Sequence, residues 1–190
     1  MKLKILSTCI AILLINAIGG NSLPGQIDSE ETGISASQLR QLADSLPPSS
    51  GAVETIQFLR SGQINRAAIL TSGHRGGWQI FVFHLEDNGK FALEWKSGKL
   101  DDSFAGSSAD QFQPYNSFDE QTFKFSGCAA HNCPDVFSVM LYIPSKSMAI
   151  TATYILGKVT YSPSAISDSG YQIYRTYLDK LIAERRSVTN

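Results

Sequence analysis

Hydrophobic residues in the first third of the chain recur at helical spacing. Leucines three or four positions apart predict a helix over residues 36–46, which the Pro47-Pro48 pair ends. Aliphatic residues three positions apart predict a second short helix over residues 52–60. The residues on these two helical faces are Leu39, Leu42 and Leu46, followed by Val53, Ile56 and Leu59.

Beyond residue 62 the spacing changes to that of β-strands. Apolar runs predict strands over residues 67–71, 78–85 and 91–95, and Asn88-Gly89 between the last two is a strong hairpin signal. One face of this hairpin would carry Trp78, Ile80, Val82 and His84, and the other Phe81, Phe83 and Leu85. Because neither face is polar, we expect both to be covered, one of them by a helix.

Strand patterns resume after a predicted loop over residues 101–120. The predicted strands cover residues 122–125, 136–143, 148–156 and 158–161. A hairpin turn is predicted at residues 144–147, and a final helix over residues 169–186. Its apolar face holds Tyr171, Tyr174, Leu178, Leu181 and Ile182. The predicted fold class is therefore α+β: an antiparallel β-sheet of about five to seven strands, with flanking N-terminal and C-terminal helices.

The first residues have the composition of a secretory signal peptide. Lys2 and Lys4 form a positive start, an apolar run follows, and small residues near Gly19 suit cleavage. We predict a signal peptide over residues 1–22 and a flexible lead-in, rich in Ser, Gly, Glu and Thr, over residues 23–37. The remainder is predicted to be a single α+β domain over residues 38–190, periplasmic or secreted, with no stable membrane span after cleavage.

The net charge of the chain indicates which class of partner it can bind. The whole chain has a formal net charge of −1, and removal of Lys2 and Lys4 makes the exported part more acidic. Such a surface disfavours nucleic acid and favours a basic protein partner.

The loop between Cys128 and Cys133 is the most informative segment. Cleavage would remove Cys9, and an even pair of cysteines in an exported chain predicts a disulfide. The ring would hold Ala129, Ala130, His131 and Asn132, in which His131 has the only sizeable side chain. Gly127 before the ring would permit an unusual backbone angle. We expect a rigid loop that presents one imidazole.

Other interpretations of this loop remain open. It could be a hairpin turn closed by a disulfide, with an exposed histidine that has no functional role. Cys-x-x-His-x-Cys could supply three zinc ligands, although no fourth ligand lies nearby and an oxidising compartment disfavours the site. A thiol oxidoreductase would carry Cys-x-x-Cys at the start of a helix.

The segment resembles the inhibitor of vertebrate lysozyme family. The resemblance is carried by residues 125–133, followed by Val139-Met140 and Lys146-Ser147. It covers roughly residues 121–156. The family's signature is a disulfide-closed Cys-Lys-Pro-His-Asp-Cys loop on a periplasmic, antiparallel-sheet protein. Cys128, His131 and Cys133 match it, whereas alanines and an asparagine replace its Lys, Pro and Asp.

The resemblance implies an exported binding protein, most concretely a lysozyme or glycosidase inhibitor that presents the loop over residues 128–133 to the active-site cleft of a basic lysozyme or another glycosidase. No catalytic residue, cofactor or metal is predicted, and the protein is not expected to be an enzyme. The alternatives are a non-catalytic envelope interaction domain that binds through its sheet, and a hydrolase. A hydrolase site would join His74 or His84 to an acid, the candidates being Asp101, Asp102 and Asp135.

Overall fold

The computed structural model of the chain describes residues 34–61, 63–72, 77–105, 113–114, 121–129, 131–163 and 169–189. These residues divide between two compact units. The first takes the described residues of 34–75 and 79–98, and the second those of 76–78 and 99–190. The predicted signal peptide and most of the predicted lead-in lie outside the described residues. The prediction of one domain over residues 38–190 stays a prediction.

The first unit pairs one helix with a four-stranded sheet. Helix α1 (Ala36–Asp44) confirms the predicted N-terminal helix and starts at a capping box formed by Ser35 and Gln38. Ile34 is already buried in the core, so order begins before the predicted end of the lead-in. The strands, which neighbour one another in chain order, are β1 (Ala52–Ser61), β2 (Gln63–Ser72), β3 (Trp78–Leu85) and β4 (Phe91–Lys96).

Strand β1 corrects the predicted second helix over residues 52–60. The pairing of β1 with β2 is interrupted by a bulge between Val53 and Thr55. A bulge adds one residue and reverses the alternation of faces, so Val53 shares its face with Ile56 and Phe58. All three pack into the core of this unit. The bulged strand therefore accounts for the three-residue spacing of Val53 and Ile56, which contributed to the predicted helix.

The β3–β4 hairpin confirms the prediction from Asn88-Gly89. Gly89 has a φ of 77°, and its N–H donates to the carbonyl of Glu86 at 2.9 Å. Phe81 and Phe83 lie in the core on which α1 packs, together with Phe91. The predicted division of faces in this hairpin thus holds for the side that the helix covers.

The second unit pairs a five-stranded antiparallel sheet with the C-terminal helix. Its strands are β5 (Gln113–Pro114), β6 (Phe123–Cys128), β7 (Val136–Ile143), β8 (Met148–Ile155) and β9 (Lys158–Ser162), in that order across the sheet. A 3-10 turn at Asp102–Phe104 lies in the predicted loop, and another at Pro144–Lys146 joins β7 to β8. The strands predicted in this half of the chain are confirmed, with shifts of a few residues at their ends.

Helix α2 (Ser169–Thr189) covers one face of that sheet. Tyr174, Leu178, Leu181 and Ile182 are buried in the core against β7 and β8, as the apolar stripe predicted. Near the start of α2, Lys146 Nζ donates to the hydroxyl of Tyr174 at 2.8 Å. Among the described residues no helix is long and apolar enough to cross a membrane.

The α+β class is confirmed, but the prediction of one sheet with five to seven strands is wrong. The strands form two sheets, of four and of five strands, each with a helix packed on it. Each helix supplies its own apolar stripe, which allows each sheet to close a separate core.

Candidate functional site

The loop over residues 129–135 joins β6 to β7 and is closed by a disulfide. Cys128 is the last residue of β6 and pairs with Phe137 across the ladder. Its sulfur is bonded to that of Cys133, and the two Cα atoms are 4.8 Å apart. Cys128 is buried and Cys133 packs against the same core. The bridge therefore fastens the loop to the end of the five-stranded sheet.

Backbone hydrogen bonds hold the loop from within. The Asn132 N–H donates to the Ala129 carbonyl at 3.0 Å, and the Asn132 carbonyl accepts from Asp135 and Val136 at 3.2 and 2.9 Å. The Ala129 N–H donates to the Val136 carbonyl at 2.9 Å, which extends the β6–β7 ladder into the loop. Because these donors and acceptors are already paired, the loop has a defined shape before any partner binds.

Among the described residues of this ring, His131 is the exposed one. Its φ is 64°, in the left-handed region that histidine and asparagine tolerate better than most other non-glycine residues. Its side chain faces solvent, and Asn132 beside it is half-buried. Ala130, also predicted to belong to the loop, lies outside the described residues. The described part of the ring thus presents an imidazole to solvent.

Gly127 has a different role from the predicted one. It lies within β6 opposite Ser138, and its backbone angle is one that other residues also adopt. A Cβ at this position would meet the Cα of Phe104 at 2.6 Å and the Phe104 carbonyl atoms at 3.0 Å. Glycine is required because the 3-10 turn packs directly on this strand, and not because of an unusual backbone angle.

The turn between β8 and β9 lies beside the loop, which the sequence did not reveal. Leu156, predicted to end a strand, instead forms this turn with Gly157, and both have positive φ, of 46° and 92°. The Leu156 N–H donates to the Asp135 carbonyl at 2.9 Å, so the turn is bonded to the loop that contains His131. Ile155 and Leu156 are 44% and 74% exposed.

Basic groups lie at the same end of the sheet. The guanidinium of Arg185 lies 5.2 Å from the ring centre of Phe137, and that of Arg186 lies 5.1 Å from that of Tyr154. These two rings stack at 4.9 Å, in the cross-strand row that begins at Cys128. Lys158, also exposed, pairs with Ile155.

Charges of both signs lie at this end of the sheet. Arg185, Arg186 and Lys158 lie there with the exposed carboxylate of Asp135, and exposed Glu184 precedes Arg185 in α2. The cations among them can attract anionic groups locally.

The geometry of the cysteine pair favours neither the zinc site nor the thiol oxidoreductase. Zinc binds cysteine as a thiolate, and the sulfurs of Cys128 and Cys133 are joined to each other. In the described part of the chain no three His, Cys, Asp or Glu residues are grouped as a metal site would need. The pair also lies at the end of a strand and in a loop, not at the start of a helix as in thiol oxidoreductases.

The residues proposed for a hydrolase divide between the two units where the structure describes them. His74 lies outside the described residues, and His84 belongs to the first unit, 4.0 Å from Glu86 and from Glu94. Glu94 is in turn bound by Arg66 at 2.9 Å.

The aspartates considered for a hydrolase site belong to the second unit. Asp101 caps the 3-10 turn by accepting from the Ser103 N–H at 2.9 Å, so its carboxylate has a structural partner. Among the described residues neither unit by itself brings one of the two proposed histidines to these acids.

Comparisons with models of protein families, with curated proteins and with solved structures gave no match.

Proposed function

We propose that this protein is an exported inhibitor of a lysozyme or a related glycosidase, and that His131 enters the target's active-site cleft. One observation carries the proposal: an exposed imidazole stands on a loop that is closed by a disulfide and hydrogen-bonded internally. The local resemblance to the inhibitor of vertebrate lysozyme family places a histidine at the same position of the same kind of ring.

The chemistry of the target suits such a ligand. A glycosidase cleft holds two carboxyl groups, one of which is commonly kept protonated for acid catalysis. An imidazole can accept a hydrogen bond at one nitrogen and donate at the other, so it can bind both groups at once. A preformed loop loses little conformational entropy on docking, which favours tight binding.

The same feature supports an exported location. Disulfides persist in the periplasm and outside the cell, where lysozymes act, and are rare in the reducing cytosol. The bridge between Cys128 and Cys133 therefore agrees with the secretory signal proposed for residues 1–22.

The direct test is inhibition of a c-type lysozyme by the purified, oxidised protein without residues 1–22. We expect inhibition that falls by at least about tenfold in the His131→Asn variant, because asparagine suits the positive φ but cannot replace the imidazole. His84→Asn is the matched control, since it removes a half-exposed histidine from the other unit. It should inhibit like the unchanged protein.

Two results would contradict the proposal. Folded, oxidised protein that inhibits neither c-type lysozyme nor a panel of other glycosidases would exclude it. Equal inhibition by the unchanged protein and His131→Asn would show that the inhibitory surface lies elsewhere than at this loop.

A further inference from the structure

Leu156 occupies a position that turn geometry does not favour for leucine. A two-residue hairpin turn with positive φ at both central residues is normally occupied by Asn-Gly or Asp-Gly. Gly157 fits this rule, whereas Leu156 adopts a φ of 46° with a branched, apolar side chain. For an L-residue other than Gly, Asn or Asp this conformation is unfavourable.

Burial of the Leu156 side chain does little to offset that conformation. The Leu156 side chain is 74% exposed, more than any other large hydrophobic residue that the structure describes as exposed. Its one tertiary hydrogen bond comes from the backbone N–H, which an asparagine or glycine would supply equally well. A residue that breaks a local rule without evident benefit to the fold is a candidate for a functional role.

The position of Leu156 links it to the loop of His131. Its N–H donates to the Asp135 carbonyl at 2.9 Å, and Asp135 belongs to the same loop as His131. Ile155, the preceding residue, is also exposed, and Lys158 across the turn adds a positive charge. An apolar pair thus adjoins the loop, with the cation of Lys158 beside it.

We propose that Leu156, with Ile155, is a second contact with the same target, and that it packs against an apolar or aromatic wall of the target's cleft while His131 engages the carboxyl groups. This inference depends on the proposed function. Ligand clefts are lined mainly by hydrophobic and aromatic side chains around a few polar groups, so an apolar side chain beside an imidazole matches the composition of such a cleft. The nearby cations match its acidic groups.

The Leu156→Asn variant separates binding from stability. Asparagine is favoured at this φ, so the thermal midpoint should stay the same or rise. Inhibition should weaken by roughly 10- to 100-fold, the effect of losing one buried leucine side chain from an interface. Leu156→Gly, which also suits the turn, must show the same loss.

The matched control is Ile173→Gln, which removes another exposed aliphatic side chain from the same unit. Ile173 is 50% exposed and lies next to Tyr174, whose hydroxyl binds Lys146 in the turn at the opposite end of β7. It is therefore distant from the loop, and this variant should inhibit like the unchanged protein.

The outcomes distinguish the two proposals. If the unchanged protein inhibits, His131→Asn does not, and Leu156→Asn inhibits normally, then the function stands and the second contact is excluded. If the unchanged protein does not inhibit at all, both proposals fail. A loss of inhibition in Leu156→Asn and Leu156→Gly, with a stable fold and a normal Ile173→Gln control, supports the second contact.

Discussion

Gly127 and Phe104 approach so closely that the backbone of one occupies the space where a Cβ of the other would lie. A Cβ on Gly127 would be 2.6 Å from the Phe104 Cα, a distance at which one backbone segment must move. Phe104 is buried, and Gly127 directly precedes Cys128. The 3-10 turn thus packs on the strand that carries the disulfide loop.

We predict that Gly127→Ala destabilises the protein by about 1–3 kcal/mol, the usual cost of forcing extra volume into a packed region. Chemical denaturation followed by circular dichroism measures this loss. Gly98→Ala is the control, because nothing lies within 4 Å of a Cβ there. Equal unfolding midpoints for the two variants would show that the turn does not pack on β6.

Removal of the disulfide should affect the loop more than the fold. Five positions separate Cys128 from Cys133, so closing so short a ring contributes only about 2 kcal/mol in the loop-entropy model. The double variant Cys128→Ala, Cys133→Ala should therefore remain folded and lose most of its lysozyme inhibition. Denaturation curves and inhibition assays on the same samples check this. Unaltered inhibition would mean that the disulfide is not needed for binding.

The Gln41 side chain forms hydrogen bonds with both backbone groups of Phe91, as a neighbouring strand would. Its side-chain amide donates to the Phe91 carbonyl at 2.7 Å and accepts from the Phe91 N–H at 2.9 Å. Because Gln41→Ala removes two hydrogen bonds of ordinary strength, we predict that it lowers the free energy of unfolding by about 1–3 kcal/mol. Arg40→Ala, at the exposed neighbouring position of α1, should lower it by far less. Similar losses in both variants would contradict this role.

A chain of hydroxyl groups joins the 3-10 turn to the sheet. Ser103 donates to the Asp101 carboxylate and is bonded to Ser138, which lies 2.7 Å from the Thr153 hydroxyl. Ser103 and Ser138 are buried.

Ser138→Ala leaves the buried Ser103 and its neighbours with an unmet hydrogen bond, so we predict a loss of about 1–3 kcal/mol in unfolding free energy. Thr160→Ala, on the exposed side of β9, is the control. An unfolding curve for Ser138→Ala that coincides with that of the unchanged protein would show that the chain adds no stability.

Tyr161 should titrate at unusually high pH. Burial raises the pKa of its phenol above the usual 10.0, and the hydrogen bond to Asp179 and the charge of that carboxylate raise it further, against a smaller lowering by Arg175. Because the folded pKa exceeds the unfolded one, the stabilisation is complete below pH 10.0 and is lost as the pH rises through the folded pKa.

Absorbance at alkaline pH measures this titration as the difference between the unchanged protein and Tyr161→Phe. Asp179→Asn should bring the Tyr161 pKa closer to its usual value, because the negative charge of the carboxylate is removed. A difference spectrum centred at or below the usual value would contradict the prediction.

The local sequence pattern was sufficient to predict most of the helices and strands. The hairpin at Asn88-Gly89, helix α2 and strand β7 follow from turn chemistry and periodicity, which depend on neighbouring residues alone. The same method failed over residues 52–60, where a β-bulge gave strand residues a helical spacing. A bulge depends on the partner strand, and the sequence of one strand does not show it.

The sequence by itself determined the α+β class, the helices at both ends and the candidate ring with its single large side chain at His131. Only the tertiary structure decided that the strands form two sheets, that Gly127 is required by contact with Phe104, and that Leu156 adjoins the loop of His131. The physical reason is that periodicity and turn preference act between near neighbours in the chain. Sheet membership, close packing and the assembly of a surface depend on segments that are distant in sequence.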